Sequence, residues 1–360
     1  MVILAIDLGK AKSVACWYQA SDGTHEFETV PSRPQDFHDL LIDRPMDRVV
    51  IEVCDMAGWV VDLCRDLCIP IQTANANGEG WRWKNVKSKT DPKDALKLAK
   101  LSSMNQLSLV HVPERPVRQW RRLILYRHKL VERRTGIKNA IHAILVSEGR
   151  AMKRGREVWR EESLEHLRSL ARPIETCSLE TLWQGHLWME LENLKHLQEQ
   201  IDKLEEKLDG LGDVDAGVIR LKTIPGVGPR LSELIVAVID DPGRFKNARQ
   251  VSAYAGLVPR RYQSGQMDRS GRISKAGNGK LRKLLVQVAW GMLRNNRKGS
   301  DVFKRISKGQ KSRRKQAAVA LARRVLVWSW AMLRDGTDWR DPGPPVRETP
   351  MAPAPMNATG

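Results

Sequence analysis

Val2-Ile3-Leu4-Ala5-Ile6-Asp7-Leu8-Gly9 opens the chain: five apolar residues, a carboxylate, and a glycine two positions on. A continuous apolar run of that length, stopped by turn-forming residues, reads as a short buried strand. Working outward, Lys12–Gln19 and Thr24–Val30 read as further strands, with the turn Ser21-Asp22-Gly23 between them. Gln35–Ile42 has helical spacing. Arg48–Val53 is another buried strand, with Glu52 near its carboxyl end, and it is followed by helical Trp59–Leu67 and strand-like Ile69–Thr73. Strands alternating with helices predict an α/β layered domain. The polar stretch Asn75–Lys89, which holds Trp81 and Trp83, reads as a loop, and Asp91–Leu101 as a helix with Pro92 at its first position.

Past this domain the pattern changes. Val117 to about Gly149 is helical and basic. Leu187, Leu191, Leu194, Leu197, Ile201, Leu204 and Leu208 recur at alternating three- and four-residue steps, a seam like that of a coiled coil. Such a seam pairs either with a second copy of the chain or with a neighbour in its own domain. A further helical domain begins near Val218 and ends near Arg334, and the Pro-, Gly- and Ala-rich remainder reads as a disordered tail. The expected domains are therefore 1–112 (α/β), 113–215 (helical, coiled-coil), 216–334 (mainly α-helical) and 335–360 (tail).

The chain has 360 residues, with 61 Lys+Arg against 42 Asp+Glu and a formal net charge of +19. That excess suits a polyanionic partner. No apolar run is long enough to span a membrane, and no basic region precedes the first apolar stretch as in a secretory signal. Five cysteines without framework spacing suggest free thiols in a reducing cytoplasm. Cys64 and Cys68 could share a helix face, but a zinc site needs two more ligands nearby, so buried core thiols are the better reading.

Asp7 and Glu52 fall at the carboxyl ends of two expected strands, the edge at which open α/β sheets place their sites. Asp91 and Asp94, three apart, share one face at a helix start. Four converging carboxylates need cations between them, and an all-oxygen set suits Mg²⁺ or Mn²⁺. Two such ions can clamp the attacking and leaving oxygens of a phosphodiester. Each carboxylate also has a structural alternative: Thr90 with Asp94 as a capping box, Asp91 as an N-cap, Asp7 in a turn.

Two further stretches point to nucleic acid. In Ile224-Pro225-Gly226-Val227-Gly228-Pro229, Gly226 and Gly228 between two helices would let backbone N–H groups approach a phosphate, although an ordinary helix–helix turn looks the same. From Arg260 to Arg324 the charge is almost single-signed, opposed only by Asp268 and Asp301. Arg260, Arg261, Arg272, Lys275, Lys280 and Arg282 are the expected phosphate contacts. Within this run Ser264, Ser270 and Ser274 are flanked by cations able to neutralise a pentavalent phosphorane. Residue chemistry alone does not choose among them, and a serine in a polar loop is more often a turn residue.

The motifs Ala5-Ile6-Asp7-Leu8-Gly9, Ile51-Glu52-Val53, Lys89-Thr90-Asp91-Pro92-Lys93-Asp94-Ala95, Ile224–Gly228, Ala255-Gly256-Leu257-Val258-Pro259 and Gly271–Asn278 together resemble the DEDD-motif transposases of bacterial insertion sequences, the insertion-sequence one-ten family. The resemblance runs from Val2 to about Arg334, with no departure in the tetrad and Pro92 where a basic residue is expected. It implies a RuvC-like, ribonuclease-H-type N-terminal domain, a coiled-coil segment and a C-terminal transposase domain. It places the metal-binding tetrad on Asp7, Glu52, Asp91 and Asp94, and the nucleophilic serine on Ser264, with Ser274 second. It also implies DNA partners at the element junction and target, a guide RNA encoded by the element, a homodimer or homotetramer, and a bacterial cytoplasmic protein that joins the nucleoid when active. Two other functions compete: a junction-resolving nuclease that activates water at the tetrad, and a non-catalytic nucleic-acid-binding protein.

Overall fold

The computed structural model describes residues 1–75, 78, 90–150, 155, 157–264 and 267–340. Most of the loop expected at 75–89, with Trp81 and Trp83, and positions 341–360 of the expected tail lie outside the described residues. The chain divides into two compact units, Met1–Arg118 and Gln119–Gly360.

The first unit is built on β1 (Val2–Asp7), β2 (Lys12–Gln19), β3 (His25–Pro31), β4 (Arg48–Glu52) and β5 (Ile71–Ala74), in the order β3-β2-β1-β4-β5. β1 is central because its apolar run can be buried on both faces. It pairs antiparallel with β2 and parallel with β4. A Cβ on Gly9 would lie 2.1 Å from the Lys12 carbonyl oxygen, so the chain can close from β1 into β2 only with glycine there.

Side-chain alternation assigns the two faces of this sheet. Leu4, Ile6, Val49 and Ile51 pack with Phe37, Leu40 and Leu41 of α1 (Pro34–Asp43) and Val60, Val61 and Cys64 of α2 (Ala57–Asp66). Ile3, Ala5 and Val50 face the other way, onto Ala95, Leu98 and Ala99 of α3 (Asp91–Ser103). The result is an α/β domain of three layers. All five cysteines are free. Cys64 is a buried core thiol whose pKa burial raises to about 12. Cys68 lies past the end of α2, exposed and in the left-handed region at φ 56°, so the two do not share a buried helix face.

The second unit is helical. α4 (Arg115–Ser147) runs into it, followed by α5 (Glu161–Leu170) and α6 (Leu182–Gly212). The leucine seam of α6 is filled by this same chain. Leu187, Leu191 and Leu194 meet Ile141, Ile144 and Leu145 of α4 and Leu167 of α5, while Leu197 and Ile201 meet Leu130. Arg134 donates to Gln198 Oε1 at 2.6 Å, and Arg127 pairs with Glu205. Partners that advance along one helix as they retreat along the other define an antiparallel hairpin. Its base, Ile124 and Leu208, joins the core of α7 (Ala216–Lys222), α8 (Pro229–Ile239), α9 (Ala248–Tyr254), α10 (Gly279–Asn295), α11 (Arg297–Ser307) and α12 (Arg314–Asp335).

One element here departs from the helical expectation. The stretch read as a polar loop around Ser264 is an antiparallel ribbon, β6 (Pro259–Ser264) with β7 (Met267–Ile273). Every residue of β6 is exposed. Without a buried face, the sequence alternation that marks a strand is absent.

Candidate active site and nucleic-acid interface

In the first unit, Asp7 ends β1 and Glu52 ends β4. The strands are parallel neighbours with Ile6 opposite Ile51, so the two carboxylates come next in register, side by side. Their parity is that of Ile3, Ala5 and Val50, which places both on the face covered by α3. Asp91 and Asp94 occupy the first turn of that helix, Asp94 buried and Asp91 exposed. Thr90 is the N-cap in extended conformation and makes no side-chain capping bond. The fold thus brings the four carboxylates to one face of one unit. Among the described residues, however, no group of three or more His, Cys, Asp or Glu side chains lies close enough to hold an ion. The donor chemistry, all carboxylate oxygen, fits a hard divalent cation, and ligation requires the side chains to close further than they do here.

In the second unit, Ser264 is the last residue of β6, paired with Met267 at the far end of the ribbon. The base of the ribbon is tightly built. Gly256 has φ +67° and Gly277 φ +75°; a Cβ on either would lie 2.0 Å from a backbone oxygen, that of Ala276 or of Tyr254 respectively. Two backbones therefore cross at near contact, which accounts for the glycines in both flanking motifs. Arg282 Nη1 donates to the carbonyls of Ala276 (2.7 Å), Ala255 (2.9 Å) and Gly277 (3.2 Å) around that crossing.

These contacts redistribute the expected phosphate-binding groups. Arg282 holds backbone. Arg260 donates to the Ser274 carbonyl at 3.3 Å. Arg261 is bidentate on Asp268, at 3.0 and 2.6 Å, and this keeps the Asp268 carboxyl below the usual carboxylate range. Lys280 pairs with Glu132 of α4 at 2.5 Å, and Lys283 with the same carboxylate at 3.1 Å. Among the described residues, Arg272 and Lys275 make no ion pair with a carboxylate, and they edge a groove of about 750 Å³. Lys315 and Arg323 of α12 complete its basic rim over a floor that includes Leu257 and Val319.

Ser274 sits beyond the ribbon, its N–H bonded to the Val258 carbonyl at 2.8 Å, and its hydroxyl is buried without a hydrogen-bond partner. Ser270 lies within β7 opposite Arg261. Ser264 combines an exposed position with the end of the ribbon. In the glycine hairpin, Val227 N–H bonds to the Ile224 carbonyl at 2.9 Å and Gly228 caps α8 with Pro229 in its first turn. Gly226 packs on Met292 of α10, and Asn296 donates to the Pro225 carbonyl at 3.2 Å, so the turn is docked on its own domain while Gly226 and Gly228 stay exposed. Sequence reasoning did not single out Tyr262 and Arg269; strand parity, had the ribbon been recognised, would have put both on the face of Ser264.

Comparison with known proteins turns this architecture into a class. Residues 4–148 match a family model of DEDD transposases of the IS110 type, described as "Transposase", and residues 219–304 match the model "Transposase IS116/IS110/IS902 family". The transposase for insertion sequence element IS1111A of Coxiella burnetii is 33% identical over 287 residues, covering 79% of this chain and 77% of that protein. The transposase for insertion sequence element IS1328 of Yersinia enterocolitica is 30% identical over 213 residues, 59% of this chain and 61% of that one. The pilin gene-inverting protein of Moraxella lacunata is 27% identical over 148 residues, 40% of this chain and 46% of that one. A Thermus thermophilus RuvC structure aligns over 31% of this chain and 100% of its own at a TM-score of 0.23 and 15% identity, an overlap too slight to bear on the fold.

The chain is a DNA transposase. It belongs to the IS116/IS110/IS902 family.

Proposed function

We propose that this transposase cuts and rejoins DNA through a covalent bond between Ser264 and DNA, assisted by divalent metal at Asp7, Glu52, Asp91 and Asp94. The observation that carries the reading is the pairing of two arrangements in one chain: carboxylates at the ends of β1 and β4 and at the start of the helix that covers them, and an exposed serine at the end of a basic ribbon in the second unit. The strand order β3-β2-β1-β4-β5, three antiparallel strands followed by two parallel ones, supports a RuvC-like reading of the first unit.

In the cleavage step the Ser264 Oγ bonds to the scissile phosphorus while the bond from phosphorus to the departing sugar oxygen breaks. The serine loses its proton and the departing oxygen gains one. One phosphodiester replaces another, so a second transfer, to a sugar hydroxyl of the partner strand, rejoins DNA without an energy source. Mg²⁺ or Mn²⁺ held by the four carboxylates would neutralise charge on the phosphate oxygens. The protein's own groups bind and orient the strand: Arg272 and Lys275, which make no ion pair among the described residues, hold phosphates beside the ribbon base. The family resemblance and the +19 net charge support a guide RNA encoded by the element, and joining two duplexes calls for a dimer or tetramer.

The test is adduct trapping. Wild-type protein is incubated with junction DNA, RNA transcribed from the element's non-coding flank and Mg²⁺, and the nuclease-trimmed adduct is located by mass spectrometry. Ser264→Ala should bind but form no adduct; Asp7→Ala and Glu52→Ala should fold and yet not recombine. A nucleotide found on Ser274, or full recombination by Glu52→Ala, overturns the assignment.

A further inference from the structure

Resting on Ser264 as the nucleophile, we propose that the ribbon has one substrate face, on which Arg269 contacts the phosphate under attack and Tyr262 stacks on a neighbouring base.

The register of the ribbon carries the inference. Ser264 pairs with Met267, Gln263 with Asp268, Tyr262 with Arg269, and Arg261 with Ser270. Cross-strand partners share a face and successive residues alternate, so Ser264, Met267, Tyr262 and Arg269 lie on one side. The pattern reaches Arg260, whose Cβ would lie 3.7 Å from an ideal Cβ on Gly271, and ends there, where the register shifts between Pro259 and Arg261. The opposite side carries Gln263, Asp268 and Arg261; Arg272 lies at the register shift near the ribbon base, outside this alternation.

The two faces differ in charge. On the opposite face the Arg261 guanidinium is already neutralised by both oxygens of Asp268, and that carboxylate repels phosphate. The Ser264 face holds Arg260 and Arg269 with no carboxylate, and among the described residues Arg269 makes no ion pair. Arg269 is the diagonal neighbour of Ser264, at about 7–8 Å, a separation within reach of a long side chain. A phosphorus about 3–3.5 Å from the serine oxygen therefore falls within range of its guanidinium. As Oγ attacks and the departing sugar oxygen leaves, negative charge grows on the non-bridging oxygens, where a cation has its largest effect on rate.

Tyr262 is 65% exposed, and no ring in the described residues stacks on it. Two residues along the strand from Ser264 is about 7 Å, or roughly two nucleotide rises of a DNA strand. An aromatic ring at that spacing stacks a base near the scissile phosphate without reading its identity.

The experiment uses full-length protein, junction duplex and flank-transcribed RNA, and follows adduct formation against DNA concentration. Arg269→Gln should slow the maximal rate of adduct formation about 100-fold, with half-saturating DNA little changed. Tyr262→Leu should raise half-saturating DNA about tenfold, and Tyr262→Phe should restore it. Arg261→Gln, on the opposite face, should stay within a few-fold of wild type. Unchanged urea midpoints exclude misfolding for these exposed positions. If Ser264→Ala still forms the adduct, the nucleophile assignment fails. If Ser264→Ala forms none while Arg269→Gln matches wild type, or Arg261→Gln is the slower of the two, the face assignment alone is overturned.

Discussion

Replacing Arg282 separates two roles that its sequence position cannot distinguish. In a basic run it reads as a phosphate contact; in the structure its Nη1 serves three backbone carbonyls at 2.7, 2.9 and 3.2 Å. One nitrogen carries two hydrogens, so this amounts to about two charge-assisted bonds, each worth about 1.5–3 kcal/mol. Two of the three contacts are solvent-exposed and weakened accordingly, so Arg282→Gln should cost about 2 kcal/mol. For a unit of this size such a loss lowers the unfolding midpoint by about 4–8 °C.

The salt dependence of DNA binding gives the independent measure. Each lost phosphate contact reduces the slope of log affinity against log salt by about 0.9. Arg282→Gln should therefore lower thermal stability and leave the slope as in wild type. Arg272→Gln should do the reverse. Arg282→Lys keeps the charge but replaces the planar fork with a point charge on a different stem, so most of the stability loss should remain. A slope reduced by about 0.9 with an unchanged midpoint would refute the carbonyl-clip argument and return Arg282 to the DNA interface.

Two further outcomes follow from the second unit. Glu233, fully buried in α8, has its pKa raised to about 7 by burial, with Arg230 at 3.2 Å pulling the other way and Asp209, Arg127 and Lys222 acting more weakly. An acid whose folded pKa exceeds its unfolded one binds more protons when folded, so its contribution to stability falls as pH rises from about 4.5 to about 7 and is level beyond. Wild type minus Glu233→Gln in urea titrations should show that fall, and a flat difference would contradict it. Ile201, buried in the helical hairpin against Leu130, should cost about 2–5 kcal/mol on truncation to alanine, with no change in subunit number by sedimentation. A changed subunit number at unaltered stability would show that the seam pairs between chains after all.

The first unit was largely legible in the sequence because its physics is local and strongly patterned. β2 and the start of α3 fall where spacing placed them, since buried strands and a Pro-initiated helix write their periods directly. The placement of Asp7 and Glu52 followed from the same strands. Only strand order and facing helix, which depend on tertiary packing, add that both share the α3 side. The ribbon was illegible for the opposite reason: its two faces both meet water, so Pro259–Ser264 shows no alternation, and what fixes it is the crossing of Gly256 and Gly277 some twenty residues apart. The leucine seam was read correctly as a helix face, but periodicity says nothing about which helix fills it. That answer lay in the apolar positions of α4, diluted there by Arg127, Arg133 and Arg134.

The basic run teaches a complementary point about charge. Sequence counts cations before their partners are subtracted, and the subtraction is uneven. Arg261 and Lys280 are matched by Asp268 and Glu132, while Arg260 and Arg282 are turned toward backbone carbonyls. Glu132 is about 150 residues from the lysines it pairs with, so no window of sequence reveals that loss. What remains is more useful than the full count. Arg272 and Lys275, which make no ion pair among the described residues, line one groove at the ribbon base together with Lys315 and Arg323. Cations already paired within the protein gain little from a phosphate, because binding must first break an existing bond. On the proposed reading, the cations without an ion pair among the described residues are the ones a DNA strand would engage, and the paired ones hold the ribbon base rigid.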